Sequence, residues 1–302
     1  MEEWDLIVVG GGPAGLTAGI YGVRGGLRTL VLEGKGVGGR MLEAPLIENY
    51  PGVPPMPGAE LASRMAEHCR RQGAEVREGE EVKELLVGEK RGAVTEKGEY
   101  RAGALVLAMG VRHRTLGVPG EKEFAGKGVS YCPVCDGPLF RRKRVVVVGG
   151  GNSAVSTALY LSGLASEVTL VHRRGELRAD PVLAGKLEGK VRILWNRVVE
   201  EIAGEGRVRK VRLREVRTGE REEVETDGVF VTVGEEPNSE LAKRAGIRTD
   251  EGGYIVVDRR QRTSAEGVYA AGDVTDFPVK QVTAAVAQGM VAALEARSFL
   301  KG

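Results

Sequence analysis

An α/β chain of two dinucleotide-binding units is predicted by a glycine-rich turn that occurs twice, each time behind a short apolar run. Gly10-Gly-Gly-Pro-Ala-Gly15 follows Leu6-Ile-Val-Val9, and Gly149-Gly-Gly-Asn-Ser-Ala154 follows Val145-Val-Val-Val148. Each run reads as a buried strand that enters a tight turn and then a helix. In a Rossmann-like unit the first glycine makes the turn, the second lets phosphate approach, and the third lets the helix pack closely. The helix N-terminus then meets the pyrophosphate. This selects Gly10, Gly12, Pro13, Ala14 and Gly15 in the first copy as cofactor-binding residues. Gly151, Asn152, Ser153 and Ala154 are their counterparts in the second.

The end of the next strand separates the two copies. Twenty-three residues after Gly10, the run Thr29-Leu-Val-Leu32 ends in Glu33. A carboxylate there accepts hydrogen bonds from both hydroxyls of an adenosine ribose, as FAD or NADH requires. Twenty-three residues after Gly149, the run Val168-Thr-Leu-Val171 ends in His172, Arg173 and Arg174, with Arg178 four residues on. Guanidinium groups favour a 2′-phosphate, so the second site is expected to prefer NADPH to NADH.

The remaining elements follow in one order in both copies. After residues 5–33, an amphipathic helix is predicted over Gly58–Gln72 and short β runs over 75–101. Ala104-Leu-Val-Leu-Ala-Met109 and Gly110 close the first unit. The second has 145–172, a helix near 181–188, β runs over 191–226, and Val229-Phe-Val-Thr-Val-Gly234. This is an internal duplication. In the tail, Tyr254–Val257 and Gly267–Asp273 read as strands and Gln281–Leu300 as a long Ala-rich helix. The economical arrangement returns this tail to the first unit. Residues 1–111 and 240–302 then form an FAD-binding domain, and 112–239 an inserted NADPH-binding domain. The hinge strands fall near Gly110–Arg114 and Gly234–Ser239.

Three cysteines are present. Cys69 continues Leu61 and Met65 at four-residue spacing, which places it on a buried helix face. Cys132-Pro-Val-Cys135-Asp136 is a C-x-x-C pair. Zinc would want a second ligand pair, and beyond these cysteines the chain offers only His68, His113 and His172. A redox pair is the stronger reading. Asp136 either moves protons for the thiols or serves the turn before Gly137-Pro138.

Composition closes off other classes. A net charge of +2, with no basic cluster interleaved with aromatics, argues against nucleic acid. No run of eighteen apolar residues is present, so no membrane span is expected. A strand beginning near Asp5 leaves no room for a signal peptide, so a cytoplasmic location is expected. Four Asn and four Gln beside 44 Lys+Arg and 42 Asp+Glu resemble thermophile usage, which base composition also produces.

Together these motifs resemble low-molecular-weight thioredoxin reductase, a class II pyridine nucleotide-disulfide oxidoreductase, across essentially the whole chain. Besides the two glycine turns, the resemblance is carried by Glu48-Asn-Tyr-Pro-Gly52, Cys132-Pro-Val-Cys135-Asp136-Gly137, His172-Arg-Arg174 with Arg178, and Ala270-Ala-Gly-Asp273. It implies two domains of the FAD/NAD(P)-binding fold. FAD would be held by Glu33, Gly38, Gly39, Asn49, Asp273 and the start of the last helix near Gln281, and Arg40, Val82, Met109, Gly110, Gly272, Val282 and Gly234 are further cofactor-binding candidates. It further implies that Cys135 faces the flavin, Cys132 attacks the protein substrate, and Asp136 is the acid/base. Electrons would pass from NADPH through FAD and the cysteine pair to thioredoxin, with rotation of the inserted domain between half-reactions. Family members are typically homodimers.

The chain departs from the common pattern in places. Arg40 stands where Gln is usual, and Met109 where Thr is usual. A cation near the isoalloxazine would raise the flavin potential. Pro133 suits the first turn of a helix, whose dipole would lower a thiol pKa. Rival readings are a same-fold reductase serving a glutaredoxin-like protein or peroxiredoxin module, a ferredoxin–NADP reductase, and a non-enzymatic nucleotide sensor.

Overall fold

A computed structural model describes residues 2–44 and 46–302. The chain divides into two compact units: one runs to Arg112 and resumes at Glu236, and the other spans His113–Glu235.

The first unit opens with β1 (Glu2–Val9), α1 (Pro13–Arg24) and β2 (Thr29–Glu33). Pro13 at the first helical position and Gly25 just past Arg24 bound α1. α2 (Gly58–Arg71) sets Leu61, Ala62, Ala66 and Cys69 on one buried face, and β3 (Glu75–Glu78) follows it. β4 (Val82–Leu86), β5 (Gly92–Thr95) and β6 (Gly98–Leu107) make an antiparallel meander, and β7 (Val111–His113) leads out. β6 also pairs in parallel with β1, so the meander is continuous with the parallel sheet. The order is β3-β2-β1-β6-β5-β4.

The second unit contains β8 (Val129–Ser130), α3 (Pro133–Asp136), β9 (Arg144–Gly149), α4 (Asn152–Ser162), β10 (Glu167–His172) and α5 (Pro181–Gly185). β11 (Arg192–Trp195), β12 (Arg197–Gly204), β13 (Val208–Glu215), β14 (Arg221–Glu225) and β15 (Gly228–Thr232) complete it. Its parallel sheet runs β11-β10-β9-β15-β8, and β12-β13-β14 form a separate antiparallel sheet. α4 and α5 cover one face, where Phe140, Val155, Leu161 and Phe230 are buried. The antiparallel sheet covers the other, burying Ile202, Val211 and Leu213.

β16 (Glu235–Pro237) pairs with β7 where the chain crosses back. α6 (Glu240–Arg244), β17 (Val268–Ala270) and α7 (Val282–Lys301) then finish the first unit. β17 extends its sheet beside the C-terminal half of β6. α7 buries Ala285, Ala292, Ala293 and Ala296 in the core that Leu16 and Ala18 of α1 share.

Two expected elements change. β1 starts at Glu2 instead of Asp5, because its polar end still pairs with β6 (Glu2↔Tyr100) and Arg28 stacks 4.2 Å over the Trp4 ring. Tyr254–Val257 is not a strand. Its amides divide among different segments: Ile255 donates to Val274 and Val256 to Arg248, so no continuous ladder forms.

Candidate active site and nucleotide sites

The first glycine turn is tied to the end of β2. Glu33 Oε2 accepts the Gly11 N–H at 2.7 Å, and Oε1 accepts the Lys35 N–H at 2.9 Å. A carboxylate offers about four lone-pair sites, so each oxygen keeps one for a ribose hydroxyl. α1 begins at Gly12 without a side-chain cap, and the space where a Gly12 side chain would stand is open. An uncapped helix start beside an open glycine is what a pyrophosphate requires. Gly15 marks a close approach, since a methyl there would run into the Gly10 carbonyl.

The structure brings further expected residues of this unit together. Gly38 donates to the Gly11 carbonyl at 2.8 Å, which sets the Gly38-Gly39 turn beside the first. Asn49 Nδ2 donates to Gln281 Oε1 at 3.1 Å, joining residues 232 apart at the start of α7. α7 likewise lacks a side-chain cap. Arg40 is ion-paired with Glu43 at 2.9 Å, so the cation expected near a flavin has its charge balanced locally. The Val82 side chain is buried at 6% exposure with Leu85 and Ala93, which leaves only its main chain for a cofactor.

Several supporting residues escaped the sequence reading. Gln288 Oε1 accepts the Gly272 N–H at 2.7 Å, and Lys280 Nζ donates to the Asp273 carbonyl at 3.1 Å. Asn238 Nδ2 donates to the Met109 carbonyl at 2.9 Å, and its N–H to Gly110 at 3.0 Å. Gln288 lies on the same helical stripe as the buried Ala285, Ala292 and Ala296 of α7, a signal that its polarity masks.

In the second unit, α4 starts at Gly151 with open space above the glycine and no side-chain cap. The basic loop is pinned to this turn at two points. Arg178 donates its N–H to the Gly150 carbonyl at 2.7 Å, and Asn152 Oδ1 accepts the Asp180 N–H at 2.7 Å. Arg173, Arg174 and Arg178 are exposed, and Ser153 lies exposed beside Asn152. Gly234 has φ 119°.

His172 does not join the arginines. It is the last residue of β10, is 4% exposed, and packs its ring under Gly150, where a Cβ would strike it. Burial, reinforced by Arg178 and Arg174, holds its pKa below the ordinary imidazole value. The cationic face is therefore three arginines, and His172 supports the turn from beneath.

Cys132 and Cys135 are joined as a disulfide with S–S 2.09 Å. A short helix, α3, does begin at Pro133, and Cys132 is its N-cap: its Sγ accepts the Cys135 N–H at 3.2 Å. Cys132 is half-buried and Cys135 exposed. Ser130, buried, accepts the Cys132 N–H at 3.1 Å and donates to the Cys132 carbonyl at 3.2 Å. Asp136 sits half-buried at the end of α3, its N–H on the Cys132 carbonyl at 3.2 Å. Cys69 is fully buried on α2. Among the described residues, no helix is long and apolar enough to cross a membrane.

A fold of two dinucleotide units with a redox-active cysteine pair defines a flavoprotein disulfide oxidoreductase. A family model described as pyridine nucleotide-disulphide oxidoreductase matches residues 4–289, and the chain belongs to that family. It is similar to a thioredoxin reductase of Bacillus subtilis, 44% identical over 303 residues that cover 99% of this chain and 95% of that one. Among solved structures, Lactococcus lactis thioredoxin reductase in its FR conformation matches with a TM-score of 0.96 at 39% identity, covering 99% of each chain. T. acidophilum thioredoxin reductase does so with the same score and identity over 100% of each. The cofactors of this type of enzyme are FAD and NADPH.

Proposed function

We propose that the chain reduces the disulfide of thioredoxin with electrons from NADPH, by way of bound FAD and the Cys132–Cys135 pair. The observation that carries this is a disulfide whose first cysteine caps a helix, in the same unit as an arginine-flanked glycine turn.

In this reading Glu33 and the turn at Gly10–Gly15 hold the adenosine and pyrophosphate of FAD. Asn49, Asp273 and the start of α7 near Gln281 and Val282 hold the remainder, with Gly38, Gly39, Met109 and Gly110 alongside. Bound FAD supplies the two-electron carrier between a nicotinamide and the disulfide. Gly151–Ala154 receive the pyrophosphate of NADPH, and Arg173, Arg174 and Arg178 its 2′-phosphate.

Once the pair is reduced, the N-cap position favours the Cys132 thiolate, because the Cys135 N–H points at its sulfur. That thiolate attacks one sulfur of the thioredoxin disulfide, and the other leaves as a thiolate, giving a mixed disulfide. Cys135 then attacks the Cys132 sulfur, which re-forms the Cys132–Cys135 bond and releases reduced thioredoxin. Asp136 exchanges the proton that Cys135 gives up.

The dithiol and the second glycine turn lie in one unit and must be presented in alternation. The reading is therefore completed by rotation of the inserted unit about its two crossings. Support comes from β7 and β16 pairing there, with positive-φ glycines at Gly110 (61°) and Gly234 (119°) beside them. A cytoplasmic homodimer completes the proposal.

Anaerobic titration tests it. NADPH should bleach the flavin absorbance, and oxidised thioredoxin should restore it. A flavin that NADPH bleaches but thioredoxin leaves bleached would turn the assignment toward another disulfide protein.

A further inference from the structure

The dithiol turn hangs from a buried carboxylate that the exchange chemistry does not use. Glu121 is 2% exposed. Its Oε1 accepts the Tyr131 hydroxyl at 2.8 Å and the Leu116 N–H at 2.9 Å, and its Oε2 accepts the Gly117 N–H at 2.7 Å. All three donors are neutral. A carboxylate is costly to bury and contributes nothing to apolar packing, so its place needs a reason beyond filling space.

The partners supply one. Tyr131 immediately precedes Cys132, and its ring lies 5.8 Å from that of His113, where this unit begins. Leu116 and Gly117 belong to the segment that follows His113. Burial, and then the Glu121 carboxylate, push the Tyr131 hydroxyl well above its ordinary range, so it remains a donor at every working pH. On the far side of Tyr131, Ser130 grips both the N–H and the carbonyl of Cys132. The Cys132 sulfur in turn accepts the Cys135 N–H. One carboxylate thus fixes the entry segment of the unit and the backbone that aims the sulfur.

We propose that Glu121 and Tyr131 are positioning residues for the dithiol: their hydrogen bond sets the backbone entering Cys132 and keeps its sulfur on the Cys135 amide. This rests on the reading of Cys132 as the attacking thiol. Loss of the bond frees the 131–132 peptide, weakens the amide contact and raises the energy of the thiolate.

The test uses Cys135→Ser holoenzyme, in which only Cys132 and Cys69 remain as thiols. Cys69 is fully buried, and burial pushes its thiol up to about 11, so alkylation reports Cys132. Iodoacetamide rates are followed over roughly pH 5–10, bracketing an ordinary thiol pKa. Adding Tyr131→Phe should slow alkylation at neutral pH about fivefold and move the profile to higher pH, and Glu121→Gln should do the same. Superimposable profiles overturn the proposal, even if the melting temperature falls, because a purely structural clamp lowers stability alone. A change confined to Glu121→Gln overturns it as well. Tyr131→Phe keeps the ring and leaves Glu121 two amide donors, so it decides the question if Glu121→Gln fails to fold. Alkylation involves neither NADPH nor thioredoxin, so a wrong protein substrate would show separately, in the flavin titration.

Discussion

In the first unit β2 ends in Glu33, whose carboxylate closes back on the glycine turn through the Gly11 and Lys35 amides. In the second, β10 ends in His172, turned under its turn, and exposed arginines follow. The sheets have the same order around the turn, β3-β2-β1-β6 against β11-β10-β9-β15. One scaffold thus carries an acceptor or a set of donors at one position, and in the proposed reading that choice sorts a ribose hydroxyl from a phosphate. The third position of the turn differs too. Gly15 admits no methyl, whereas Ala154 is buried in the second turn without one being removed. The first helix packs closer to its turn.

The strongest way to break this comparison is through the feature the second unit alone carries. Cys132→Ser should lower thioredoxin reduction by roughly 10³-fold or more while NADPH still bleaches the flavin, since the nucleophile is lost and the nucleotide sites are not. Stopped-flow absorbance and a thioredoxin assay separate the two. Next, Arg173→Ala with Arg174→Ala should cut kcat/KM for NADPH by about 10- to 100-fold and leave NADH nearly unchanged, as expected for charged hydrogen bonds of about 1.5–3 kcal/mol. Equal losses with both donors would remove the arginines from phosphate recognition.

Smaller effects sharpen the comparison. Gly15→Ala should destabilise the first unit by about 1–3 kcal/mol through overpacking, read by denaturant unfolding and flavin content. Ala154→Gly should cost the second unit only about 0.5–1 kcal/mol. The smallest effect concerns pH. His172 has a folded pKa below its unfolded value, so the unfolded chain takes up the proton more readily. Its stabilising contribution is complete above the ordinary imidazole value of about 6.5 and is lost as pH falls through the lowered one. The melting temperature should therefore drop on acidification more steeply in the wild type than in His172→Gln.

The parallel strands and glycine turns were legible because apolar runs closed by glycine have few alternatives. The tail was less so: Tyr254–Val257 has strand composition, but its amides go to separate segments, which no local pattern records. His172 was grouped with the arginines because the sequence does not mark where β10 stops. The strand runs one residue past its apolar stretch and carries the histidine inside. Glu121 was invisible for a different reason. Ten residues separate it from Tyr131, with no periodicity linking them, and its burial arises only in the folded unit.

The interleaving of the chain has a consequence for biogenesis. Residues 113–235 are contiguous, so that unit is whole as soon as it leaves the ribosome. The other unit waits for β17 and α7, whose alanines fill the core against α1 and whose Gln288 fixes the Gly272 amide. Its core is therefore completed after the contiguous unit, from segments that lie on both sides of the insertion.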